Sequence, residues 1–147
     1  DDGAEIRTFG TEDGGRPRSR AQNTDTYFSP SVSWSKVSSG APAFRAYPAG
    51  FIYDVAGTSI FATTSQQRAG LLSFANSRVA FEQLAAIAPT LNYEVGQVAG
   101  LPMADASAED GVSLAGRAID VARSDWDSFE TSWGFARNPL VELTERG

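Results

Sequence analysis

The stretch Ser59-Ile60-Phe61-Ala62-Thr63-Thr64-Ser65-Gln66-Gln67 (SIFATTSQQ) is where one hydrophobic period stops and another starts. Upstream of it the apolar residues come in short runs: Val32, Trp34 and Val37, then Phe44 to Tyr47, Phe51 to Val55, and Ser59 to Ala62. Ser39-Gly40, Pro48-Ala49-Gly50 and Ala56-Gly57-Thr58 punctuate them. Short aromatic or β-branched runs broken by turn residues read as strands and hairpins. Downstream, Thr64-Ser65-Gln66-Gln67 fits a helix capping box, with the hydroxyl at the cap and the amide three residues on. Leu71, Leu72, Phe74, Ala75, Val79, Phe81, Leu84 and Ile87 then cover a wide helical face, and Pro89 closes it. The switch predicts an α+β fold, in which a small, mostly antiparallel sheet packs on one long helix over 65–88.

Further along, Thr90 to Leu101 reads as a strand, so the sheet is expected to comprise residues 31–62 and 92–99. Ser107, with Asp110 three residues later, signals another helix start, for a C-terminal helical segment over 107–133. Within it Val112, Ala115, Ile119, Ala122, Trp126, Phe129 and Trp133 fall at alternating spacings of three and four, which makes one apolar stripe. Asp125, Asp127 and Glu130 lie at helical spacing opposite it and read as a solvated acidic surface rather than a metal site. Three parts are expected: an arm over 1–26, an α+β body over 27–104, and the helical segment with its tail over 105–147.

Composition narrows the chemistry. With 147 residues and 41% hydrophobic content, the chain is long enough for one domain with a true core. It has no cysteine and no histidine, so disulfides, Cys/His zinc sites and imidazole-based acid–base schemes are excluded. No apolar run is long enough for a membrane-spanning helix, and the acidic start lacks a signal-peptide pattern. A cytoplasmic location is expected. The chain opens on Asp1 and is expected to be a piece of a larger protein.

Charge is unevenly placed. The net charge is −6, yet residues 14–50 carry Arg16, Arg18, Arg20, Lys36 and Arg45 against Asp25 alone. An acidic protein thus contains one basic segment, and Ser33-Trp34-Ser35-Lys36-Val37-Ser38-Ser39 lies in it. Ser33 and Lys36 have the spacing of a serine–lysine hydrolase, but strand geometry points residues three apart to opposite faces, and the companion motifs are missing. No catalytic residue is assigned. Alternation places Trp34, Lys36 and Ser38 together, as an aromatic platform, a cation and a hydroxyl. They read either as a face for DNA phosphates and base edges or as an edge strand with a gatekeeping lysine and a packed tryptophan. Arg45, set between Phe44 and Tyr47, is either a pair for Asp54 or a base contact. The Arg16-Pro17-Arg18-Ser19-Arg20 arm either follows a phosphate backbone or is solvated linker. Asn138-Pro139-Leu140-Val141 falls short of the Asn-Pro-Pro-Tyr motif that holds a target base in amino-methyltransferases, and no Gly-rich phosphate loop is present.

The runs SVSWSKVSSGAPAFRAYPAGFIYDVAGTSIF, APTLNYEVGQVAGLP and RSDWDSFETSW give the chain, from about Tyr27 to Leu140, a resemblance to a known family. It resembles the C-terminal part of the PglX adenine-specific DNA methyltransferases of BREX phage-defence systems, which are related to the specificity domains of large restriction–modification methyltransferases. The resemblance implies a target-recognition fragment without the upstream domain that binds S-adenosylmethionine, and so without a cofactor of its own. It implies double-stranded DNA, the parent's methyltransferase domain and other BREX proteins as partners, and no membrane. Trp34, Ser35, Lys36, Ser38, Ser39, Arg45 and Tyr47 would then face DNA, and Arg16, Arg18 and Arg20 would add backbone contacts. The alternative is a protein–protein interaction module that uses the C-terminal stripe.

Overall fold

The computed structural model describes residues 3–19, 21–103 and 108–141. Its elements in chain order are a short helix α1 (Ala4–Thr8), strands β1 (Ser31–Ser35), β2 (Phe44–Tyr47) and β3 (Gly57–Ile60), and helices α2 (Ser65–Ala75), α3 (Arg78–Ile87), α4 (Val95–Ala99) and α5 (Glu109–Trp126). The three strands form one antiparallel sheet in the order β2-β1-β3, and the fold is α+β as expected.

Register follows from the hydrophobic alternation. Val32 lies opposite Ala46 and Ile60, and Trp34 lies opposite Phe44 and Thr58. Residues directly opposite share a face, so Val32, Trp34, Phe44, Ala46 and Ile60 turn the same way, into the core. That face meets α2, through Leu72 and Ala75, and α5 covers the far side of α2 with Ala115 and Ile119. Gly111 of α5 lies against Ser73, where an added Cβ would come within 3.5 Å of the hydroxyl. The small residue lets the two helices approach closely.

Three expectations need correction. The span 65–88 is two helices, not one, and the break falls at Asn76-Ser77. Thr64 caps α2 as read, its Oγ1 accepting from Gln67 N–H at 3.1 Å, although the Gln67 amide oxygen turns to the Thr63 hydroxyl instead of the cap backbone. Asn76 then leaves the helix because its side chain pairs with strand β2. Its Oδ1 accepts from Phe44 N–H at 3.1 Å, and its Nδ2 donates to Phe44 C=O at 3.0 Å and to Leu72 C=O at 3.0 Å. Ser77 recaps the chain, accepting from Ala80 N–H at 3.2 Å.

The second correction concerns 92–99. Only Asn92 pairs with the sheet, in a single bridge to Val37, and 95–99 is helix α4. Glu94 and Gln97 close a capping box, with Glu94 N–H donating to Gln97 Oε1 at 2.8 Å. Local capping therefore overrides the β-branched content of the run. Just before the cap, Tyr93 N–H donates to Lys36 C=O at 2.7 Å and Ser38 N–H to Leu91 C=O at 3.0 Å, so this segment lies along the continuation of β1.

Helix α5 ends at Trp126, short of the expected 133, and Ser107 lies outside the described residues. The expected stripe is covered over Val112, Ala115 and Ile119 and open over Ala122, Trp126, Phe129 and Trp133. The reason is length: α2, with 11 residues, cannot cover all 18 of α5. Among the described residues no helix is long and apolar enough to cross a membrane.

Candidate nucleic-acid interface

The sheet face opposite the core carries a different chemistry. Across its middle, Ser33 of β1 lies between Arg45 of β2 and Ser59 of β3. One step toward the start of β1, Ser31 lies opposite Tyr47; toward its end, Ser35 lies opposite Gly57. Ser31 and Ser33 are small and central, so their taller neighbours bury them, whereas Arg45 and Ser35 are exposed. The Ser33 hydroxyl donates to Thr58 C=O at 2.9 Å and so ties the two strands.

An aromatic ladder borders this face. Tyr47 meets Phe51 and Tyr53 edge to face, with centroids 5.3 and 5.7 Å apart, and Tyr53 meets Phe61 at 6.0 Å. Tyr53 thus links Tyr47, which lies opposite Ser31, to Phe61, just past the end of β3. Ser31 beside this ladder is completely buried, and its hydroxyl has no hydrogen-bond partner among the described residues.

The structure separates the expected site residues. Trp34 is 2% exposed, and its indole N–H donates to Tyr93 C=O at 2.9 Å. It is a core residue, so the expected face of Trp34, Lys36 and Ser38 does not form. Alternation divides β1 into the two predicted sets; of the set opposite the core only Ser35 is exposed, Ser31 and Ser33 being covered. Lys36 Nζ pairs with Glu94 Oε1 at 3.0 Å, which fastens the end of β1 to the cap of α4. Ser38 organises a turn, accepting from Gly40 N–H and donating to Ala41 C=O, both at 3.4 Å, with Ser39 exposed beside it. A serine–lysine couple is absent, since the Ser33 and Lys36 side chains are committed to different partners.

Arg45 forms no ion pair among the described residues. The carboxylate of Asp54, its alternative partner, is instead engaged by Ala56 N–H and Gly57 N–H, both at 2.9 Å, and shapes the turn into β3. Arg45 therefore stands out from the sheet with hydroxyls on the neighbouring strand and Tyr47 two residues along. Arg16 and Arg18 are exposed on the N-terminal segment, where Arg18 N–H donates to Phe9 C=O at 2.9 Å, and Arg20 lies outside the described residues. Among the described residues no group of three or more acidic side chains gathers as a metal site.

These features define an α+β module whose one polar sheet face presents a cation among hydroxyls and aromatic rings. No family model matches the chain. It is 37% identical over 127 residues to the adenine-specific methyltransferase PglX of Lacticaseibacillus casei (strain Zhang), covering 86% of this chain and 11% of that protein. It is 32% identical over 144 residues to the adenine-specific methyltransferase BrxX of Escherichia coli O9:H4 (strain HS), covering 96% of this chain and 11% of that protein. The chain is a homologue of one segment of these BREX-type adenine-specific methyltransferases, and spans about a tenth of their length.

Proposed function

We propose that the chain is the DNA target-recognition piece of a BREX-type adenine-specific methyltransferase, working with a catalytic S-adenosylmethionine domain that it does not itself contain. One observation carries the reading. Arg45 is an exposed cation, without an ion-pair partner among the described residues, on a hydroxyl-bearing face of a protein whose net charge is −6. Arg is the side chain best suited to grip phosphate or the guanine edge, and Ser hydroxyls position backbones. The names of the relatives, adenine-specific methyltransferases, support the coarser part of the reading, a methyltransferase fragment. Ser35, Ser38, Ser39 and Tyr47 would line the approach, with Arg16 and Arg18 adding phosphate contacts.

Binding is expected to be weak and salt-sensitive, because the rest of the surface is acidic. Fluorescence anisotropy on a labelled duplex across a salt series tests the face. Arg45→Ala should weaken binding about tenfold at low salt and flatten the slope of log K against log salt by about 1. Lys36→Ala is the control, since its cation already pairs with Glu94, and should move the slope less. Equal effects of the two, or none from Arg45→Ala, would remove this face from consideration.

A second reading rests on the C-terminal stripe. Trp126 and Phe129 are more than half exposed and Trp133 fully so. Aromatic residues this open favour packing against another protein surface. In that reading Trp emission shifts to the blue when the segment meets the catalytic part of the parent protein; an unchanged spectrum on a confirmed complex would sink it.

A further inference from the structure

The geometry points to a nucleobase pocket between the N-terminal segment and the loop that follows β2. A cavity of about 870 Å³ opens there, walled by Phe9, Tyr27 and Phe28, with Ile6 and Ile52 completing the apolar lining. Glu5 and Arg7 bring one charge of each sign to it. The volume is that of a small-ligand site.

Phe28 is the informative residue. It holds φ at +62°, in the left-handed region that disfavours a side chain with a Cβ. Its backbone is locked there by a two-way exchange, with Phe28 N–H donating to Phe51 C=O at 3.0 Å and Gly50 N–H to Phe28 C=O at 2.9 Å. Yet this conformation does not bury the ring, which stays 57% exposed, edge-on to Tyr27 at 6.4 Å. A fold that holds an aromatic residue in a disfavoured conformation and leaves its face open has prepared a stacking surface.

The other walls agree. Ile6, Phe9 and Ile52 are each about half exposed, so they line the space without filling it. The hydrocarbon stem of Arg18 lies against Gly10, next to Phe9, and backs the aromatic wall, while Arg7 is the cation of the lining itself. Flat rings beside a cation suit a neutral planar base on an anionic backbone. The choice of a nucleobase among planar rings rests on the DNA-recognition reading above.

The test uses the full 147-residue chain and free adenosine, guanosine, cytidine and thymidine, followed by saturation-transfer NMR, with ribose 5-phosphate as the probe that cannot stack. Phe28→Gly is the matched variant. Glycine accepts φ of +62° without strain, so the backbone is kept while the ring is lost, and thermal melting checks this. Nucleosides should bind the wild type, ribose 5-phosphate should not, and Phe28→Gly should weaken nucleoside binding about tenfold. No nucleoside binding, or equal binding by both proteins, overturns the pocket. Duplex anisotropy on the same samples separates the two readings. A bound duplex without nucleoside binding overturns the pocket and leaves DNA recognition standing. Nucleoside binding that depends on Phe28, with no duplex bound, supports the pocket and ends the DNA-recognition reading.

Discussion

Replacing Trp34 with alanine is expected to cost about 4 kcal/mol of stability. Two losses combine. The ring is 2% exposed and packs on Phe44 with centroids 5.5 Å apart, so its removal leaves a cavity where the sheet meets the helices. The indole N–H also disappears, which orphans the Tyr93 carbonyl at a buried position. Domains of this size are stable by only about 5–15 kcal/mol, so the variant should lie near its unfolding midpoint in mild urea. Trp34→Phe keeps most of the hydrocarbon and loses the hydrogen bond with a smaller part of the packing, for about 1–2 kcal/mol. Urea titration followed by circular dichroism at the helical band distinguishes them. A loss below about 2 kcal/mol for the alanine variant would mean that the ring is not a core element. The outcome also bears on function: if Trp34 holds the sheet against the 90–94 segment, duplex binding should fall in Trp34→Ala as the protein unfolds and recover in Trp34→Phe.

The division of labour along β1 shows what the sequence can and cannot disclose. Alternation alone separates Ser33 and Ser35 from Trp34, because the side-chain period of a strand is two. It does not say which set faces inward. That is decided by the partners: Val32 shares parity with Trp34, and the register sets both against Phe44, Ala46 and Ile60. The apolar sum of these five fixes the core side and leaves the serines and Arg45 on the other face, where Ser35 and Arg45 are exposed and Ser31 and Ser33 are covered. A cation at Lys36 drew attention to the wrong set because β1 ends at Ser35, beyond which parity no longer assigns a face.

The helical region was legible where signals are local and misread where they are tertiary. The Thr64 cap on Gln67 N–H and the first part of the stripe, Val112 to Ile119, follow from nearest neighbours and appear as expected. The break at Asn76 has no proline or glycine to announce it, and asparagine inside a helix carries only a modest penalty. Its cause lies 32 residues away, at Phe44. The segment from Glu94 carried its own signal, since Glu-x-x-Gln is a capping pattern, but the apolar run around it suggested a strand. Phe28 gave no signal in the sequence at all, because a left-handed phenylalanine is set by the bonds that Gly50 and Phe51 make to its backbone.

Asn76→Ala is expected to destabilise the chain by about 2–3 kcal/mol, a large effect for an exposed residue with no apolar burial to lose. The amide satisfies both backbone groups of Phe44 on the free edge of β2 and, in addition, the Leu72 carbonyl near the end of α2. Phe44 is only 4% exposed, so water cannot readily replace the lost partners. Alanine also favours helix more than asparagine does, which would encourage α2 to run on into α3 and pull away from the sheet. Asn76→Asp makes a sharper probe. It retains an acceptor for Phe44 N–H but sets a carboxylate against two carbonyl oxygens, so it should be at least as damaging as alanine. The decisive measurement is hydrogen exchange at the Phe44 amide. With Asn76 present that proton should be protected although it lies on a sheet edge; in Asn76→Ala it should exchange at least tenfold faster, as expected for about 1.4 kcal/mol or more of local stability lost. Equal protection in the two proteins would show that β2 is held by its pairing with β1 alone. The side-chain amide would then be no more than a helix terminator, and Arg45, one residue along the strand, would owe its position to the sheet rather than to this tie.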